Sequence, residues 1–257
     1  KKRVMNEWIN KLLFFMMFLS VGFVSDEGVF NKSVKMIIMM TVGVREIKGL
    51  KMQTIYGLSG NIEFEQSCNN NARCDVIAIV CHPHPLHGGS MTNKVVTTVF
   101  KVLEKNCQIA IRFNYRGVGD SAGSYGDTDG EIADLISVIT WARTTYGNKH
   151  IYLAGFSFGA YISLRVALIL EDIDKLISIA PVVHHHDYNN LKEPHCQWEI
   201  IVGDEDELIL MKDFDAWYDK FAHVSSMQKI NGASHFFHGK LIELRNIVDE
   251  FINTTNN

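Results

Sequence analysis

Residues 155–159 read Gly-Phe-Ser-Phe-Gly. They stand between Ile151-Tyr152-Leu153-Ala154, a short apolar run of strand character, and Ala160 to Ala167, whose spacing predicts a helix. A serine between two glycines at a strand-to-helix junction is a nucleophile-elbow pattern. The turn is too tight for side chains at the flanking positions, so glycine fits there. The strain pushes the serine oxygen out over the sheet edge. The following helix aims its N-terminal N–H groups at the place where an oxyanion would form. The pentapeptide therefore nominates Ser157 as a nucleophile. Small residues also occupy such turns for packing alone, so the chemical reading depends on partners elsewhere in the chain.

A serine hydroxyl needs a histidine base, and that histidine needs a carboxylate to hold its tautomer and stabilise its charge. On this kind of scaffold the order along the chain is serine, acid, histidine. Trp198 to Val202 reads as a strand and runs into Gly203-Asp204-Glu205-Asp206-Glu207-Leu208. Loops after the C-terminal ends of strands are where α/β enzymes carry catalytic groups. Asp206 is the preferred acid and Asp204 its competitor; Glu205 and Glu207 are expected to be solvated. A second short strand, 226–230, ends in Asn231-Gly232-Ala233-Ser234-His235-Phe236-Phe237-His238. His235 precedes a helical pattern at Leu241, Ile242, Leu244, Ile247, Val248 and Phe251, which suits a base reaching back to Ser157. His238 is expected on the helix face.

An oxyanion hole needs a second backbone N–H from the loop after an earlier strand. Asp75 to Cys81 is a continuous apolar run of central-strand character, followed by His82-Pro83-His84-Pro85-Leu86-His87-Gly88-Gly89. Pro83 and Pro85 have no N–H to donate. His84 and Leu86 remain, with His84 placed first by its position after the strand and Phe158 as the donor that follows the nucleophile. Gly88 and Gly89 would let the backbone pass close to a substrate.

The rest of the chain alternates. Gly49 to Phe64 reads as one or two antiparallel edge strands with a turn at 57–60. Helical spacing over 93–105 and 127–146 alternates with strands at 108–113, 151–154 and 175–179. Alternation of this kind implies an α/β fold with a mostly parallel sheet and right-handed crossovers. About seventeen residues separate Pro181 from Gln197, too few for a large lid, so an open site is expected. Val182, Val183, Tyr188 and Leu191 are expected to line one of its walls.

At this point the sequence resembles the small bacterial α/β-hydrolases related to dienelactone hydrolases. The matching stretches are His82-Pro83-His84-Pro85 with Gly88 to Val96, Arg112 to Ser124, Leu153 to Ser163, Ile177 to Pro181, Gly203 to Glu207, and Ser234 to His238. They cover about residues 50–253 in fixed order. The resemblance implies the α/β-hydrolase fold with helices on both faces of the sheet and a small or absent cap. It also implies a Ser157–Asp206–His235 triad and ester hydrolysis as the generic activity. Thioesters or small amides are alternatives on the same triad. A non-catalytic binding protein on the same fold is a further alternative, and that class usually lacks a triad member.

Of the 257 residues 47% are hydrophobic, enough for one sizeable core. A formal charge of −4 gives no nucleic-acid footprint. The expected partner is a small-molecule ester. Five scattered cysteines, with Cys81 and Cys107 in or beside apolar strands, point to a reducing compartment, and a local Cys68–Cys74 disulfide is not favoured. The expected location is therefore cytoplasmic. Lys1-Lys2-Arg3 and Lys11 ahead of apolar Leu12 to Val24 resemble a signal peptide, which would make the protein exported or membrane-associated. That run is too short for a comfortable membrane span. Alternatively the stretch is an extension that the working protein lacks. The domain boundaries expected are 1–45 for the leader or extension and 46–257 for the hydrolase domain, and residues 1–35 should be dispensable for activity. No cofactor or metal is expected. His82, His84 and His87, and His184-His185-His186-Asp187, do not show the converging geometry of a zinc site. Arg116 to Ser121 lacks the spacing of a phosphate loop and reads as a tight loop beside the site.

Overall fold

A computed structural model describes residues 55–72 and 74–254. The expected leader or extension, and the start of the domain assigned to 46–257, lie outside the described residues. In chain order the strands are β1 (Ile55–Gly57), β2 (Gly60–Ile62), β3 (Phe64–Cys68), β4 (Cys74–Cys81), β5 (Cys107–Phe113), β6 (His150–Phe156), β7 (Lys175–Ile179), β8 (Gln197–Gly203) and β9 (Ser225–Ile230). The helices are α1 (Lys94–Asn106), α2 (Asp129–Tyr146), α3 (Phe158–Leu170), α4 (Met211–Tyr218) and α5 (Leu241–Asn253).

Strands β1 and β2 form a small antiparallel hairpin, and the other seven form one sheet in the order β3-β5-β4-β6-β7-β8-β9. Only β3 runs antiparallel, at one edge beside β5; every other neighbouring pair is parallel. Successive side chains on a strand point to opposite faces. Val76, Ile77, Ala78, Ile79 and Val80 on β4 are nonetheless all buried, so helices must cover both faces. Helix α1 packs against α5, and α2 against α3.

Two elements differ from the sequence expectation. The chain does not end its edge pairing at Phe64; it continues as β3, which joins the main sheet through Phe64↔Phe113 to Cys68↔Ile109. Helix α4 was not anticipated. It carries only two buried side chains, Phe214 and Trp217, too few for a visible periodicity. Phe214 packs on Trp217, and Trp217 packs with Tyr188, Trp198 and Phe221. Tyr188, packed on Trp217, and Val182 and Val183 are buried. Residues 180–196, between β7 and β8, contain no helix or strand.

The loop after β5 is anchored from below. The Arg116 guanidinium donates through Nε to Asp134 Oδ2 (3.0 Å) and through Nη2 to Asp134 Oδ1 (2.7 Å), and its backbone N–H donates to the same carboxylate at 2.9 Å. This bidentate pair fixes the start of the segment that later presents Tyr125. Cys68, Cys81 and Cys196 are free thiols. No helix among the described residues is long and apolar enough to cross a membrane.

Candidate active site

Ser157 follows the last residue of β6 and caps α3, with φ 55° and ψ −113°. Left-handed φ is strained for a residue with a side chain and is held here by its surroundings. The Ser157 N–H donates to Ile179 O on β7 (2.8 Å). The flanking glycines are required by space. A Cβ on Gly155 would lie 2.1 Å from Gly159 O, and one on Gly159 would lie 2.5 Å from Cys81 O. These contacts are with backbone that has nowhere to go. Gly155→Ala is therefore expected to destabilise the protein by at least about 3 kcal/mol, read as a lowered urea midpoint. A midpoint equal to wild type would mean the elbow tolerates a side chain.

His235 lies in the loop after β9, and its Nε2 is 3.0 Å from Ser157 Oγ. Its Nδ1 is 3.1 Å from Asp206 Oδ1 and 2.8 Å from Asp206 Oδ2. An ionised carboxylate only accepts, so Nδ1 carries the proton and Nε2 presents its lone pair to the serine hydroxyl. Both side chains are almost fully shielded, at 2% and 0% exposed. Phe156 and Phe236 flank the imidazole at ring distances of 5.1 and 5.2 Å. Asp206 Oδ1 also accepts from Leu208 N–H (2.9 Å), which fixes the carboxylate's rotation. Asp204, the competing acid, turns elsewhere. Its Oδ1 accepts from Gly232 N–H (2.6 Å) and ties the loop after β8 to the loop after β9.

Of the two N–H groups left open after β4, that of Leu86 is occupied: it donates to His84 Nδ1 at 3.2 Å. No described residue accepts from the His84 N–H. Phe158 is the first residue of α3, where a helix leaves its N–H without an intrahelical partner. His82 shapes the loop between them. Its Nε2 accepts from Tyr115 N–H (3.0 Å), so its Nδ1 bears the proton and donates to Pro83 O (2.6 Å). That bond pins the peptide plane whose other end is the His84 N–H. A Cβ on Gly89 would fall 2.1 Å from the same Pro83 oxygen, which explains the glycine there.

Burial lowers the His82 value from 6.5 to about 4. The unfolded chain then binds that proton more readily than the folded one. The resulting stability is whole above pH 6.5 and is lost as pH falls towards 4, by about 3 kcal/mol in all. His186, also lowered to about 4 chiefly by burial, acts in the same direction. Urea unfolding at a series of pH values is expected to show this loss in the wild type and a flatter profile in His82→Gln. Parallel profiles would remove His82 from the account.

The sequence predicts a solvated Glu207. It is exposed, yet its Oε2 accepts from the His235 backbone N–H (3.0 Å), and this bond is the main reason its carboxyl sits below the ordinary range. No local signal marks that role, because the partner is 28 residues away. His238 was expected on a helix face. Helix α5 begins only at Leu241, so His238 stands exposed in the preceding turn, its Nδ1 3.4 Å from Ser234 Oγ. Burial pushes the Cys81 thiol, at the end of β4, up to about 12, which makes it inert as a nucleophile. Among the described residues no group of three or more His, Cys, Asp or Glu side chains is placed to hold a metal ion.

The profile of the alpha/beta hydrolase fold family matches residues 86–238, more than half of the chain. The protein belongs to the alpha/beta hydrolase fold family. Within this family its relatives include an alpha-beta serine hydrolase homologue from Coxiella burnetii, 39% identical with a TM-score of 0.73; the match covers 81% of this chain and 99% of that one. XC6422 from Xanthomonas campestris, a serine hydrolase without a lid, is 38% identical with a TM-score of 0.72, covering 79% of this chain and 95% of that one. RP471, an uncharacterised protein of Rickettsia prowazekii, is 32% identical over 216 residues, 79% of this chain and 90% of the relative. Hydrolase chemistry is what this membership and these serine hydrolase relatives support.

Proposed function

We propose that the protein cleaves carboxylic esters of small substrates through an acyl-enzyme on Ser157. The carrying observation is the unbroken hydrogen-bonded chain Asp206–His235–Ser157, with the serine on a strained elbow. In this reading Ser157 Oγ attacks the ester carbonyl carbon while His235 Nε2 takes the hydroxyl proton. Asp206 holds the Nδ1–H tautomer and stabilises the imidazolium. The N–H groups of Phe158 and His84 receive the oxyanion of the tetrahedral intermediate. Collapse expels the alcohol, which takes the proton from Nε2. Water then repeats the sequence with His235 as base, releasing the acid and restoring Ser157. Kinship to dienelactone hydrolases in particular, and residence in the cytoplasm, belong to the same reading.

A fluorophosphonate probe tests it. Intact folded protein should label at one site, and peptide mass mapping should place the adduct on Ser157. Folded protein that stays unlabelled, or an adduct elsewhere, would overturn the proposal.

A further inference from the structure

We infer that the acyl side of this site is built to take a flat aromatic group, so that its preferred esters carry an aryl ring near the carbonyl. This inference rests on the esterase reading of Ser157. Phe158, the residue whose N–H would hold the oxyanion, is buried, and three half-buried rings converge on it from three different loops. His84, after β4, lies 4.8 Å from the Phe158 ring centroid; His186, after β7, lies 5.5 Å away; Tyr125, after β5, lies 6.2 Å away. Tyr125 and His84 are themselves 5.0 Å apart, and His186 stacks on Tyr161 at 4.7 Å with an interplanar angle of 19°. Around Phe158 this wall is made of rings, and the three outer residues are each only half-buried.

The electrostatics agree with a neutral planar guest. His84 and His186 are shifted towards the uncharged imidazole, chiefly by burial. His84 is further disfavoured as a cation by His87 and His185, and His186 by His84 and His185, with Asp127 acting weakly the other way. The Leu86 N–H donated to His84 Nδ1 fixes that ring's orientation and leaves its proton on Nε2. An aryl ring can meet such surfaces edge-to-face or offset-stacked. Such pairs add stabilisation beyond area burial, enough in sum for about a tenfold preference.

The test compares the 4-nitrophenyl esters of 3-phenylpropanoate and 3-cyclohexylpropanoate. The leaving group, chain length and carbonyl reactivity match; only the ring differs, planar in one and puckered in the other. The wild type should favour the phenyl ester in kcat/KM by about tenfold. The cyclohexyl ester is the more hydrophobic, so a merely greasy pocket would prefer it. Tyr125→Leu and His186→Leu should each draw the ratio towards one, and either variant suffices if the other fails to fold. A wild-type ratio of one or below, or a ratio unmoved in both variants, would overturn the inference. Fluorophosphonate labelling separates its failure from that of the esterase reading. A labelled Ser157 with a flat ratio sinks only the aromatic preference, whereas an unlabelled, inactive protein sinks both.

Discussion

Ser157→Ala is expected to lower kcat on a 4-nitrophenyl ester by about a million-fold, leaving only what bound water and the oxyanion donors achieve together. The magnitude follows from the division of labour. His235 can accept a proton only from a nucleophile held at its Nε2, and Ser157 Oγ is the group 3.0 Å away. Under the proposed mechanism no acyl-enzyme forms without that oxygen, and Asp206 and His235 have nothing to activate. The fold should survive. Alanine keeps the Cβ that serine already places at φ 55°, so the elbow is no more strained than before. Circular dichroism and the urea midpoint should match wild type while steady-state hydrolysis disappears. Activity within a hundredfold of wild type would assign the nucleophile elsewhere.

Asp206→Asn is expected to cost about 10,000-fold in kcat, and Asp204→Asn less than tenfold. The two residues share a loop and differ in what they touch. Asp206 gives two acceptor oxygens to His235 Nδ1. An asparagine there can turn its amide NH2 towards Nδ1, which moves the imidazole proton to Nε2. Nε2 then points a hydrogen at Ser157 and can no longer take one. Asp204 only accepts from Gly232 N–H, a bond that an asparagine carbonyl oxygen can keep. Turnover of both variants on one ester, with circular dichroism as the folding control, decides the matter. Equal losses, or the reverse order, would transfer the acid's role.

The parts of the fold that were legible in sequence are those set by neighbours a few residues away. The elbow is one: Gly155 and Gly159 are demanded by contacts within one turn and with the adjoining strand β4. The alternation of buried strands and helices is another, because continuous apolar runs such as 76–81 admit few alternatives. Helix α4 escaped because eight residues with two buried side chains carry no periodicity. Strand β3 escaped because its partner residues lie 41 to 49 positions away on β5. At the site, the chain order of serine, acid and histidine nominates Ser157, Asp206 and His235, which the structure brings within hydrogen-bonding distance of one another. The parts played by Glu207 and His82 arise from bonds to backbone atoms, which no residue pattern encodes. His82 did carry one usable hint, its place directly after a fully apolar strand, where an imidazole must find partners or stay uncharged.

The connection from β7 to β8 contributes no rigid body that could swing across Ser157. Under the proposed function, no helix or strand of this connection has to move before catalysis begins or before product departs. Progress curves should run straight from the first seconds, without a lag. Deacylation or acyl transfer should set the pace of each cycle, and micelles should bring no abrupt jump in rate.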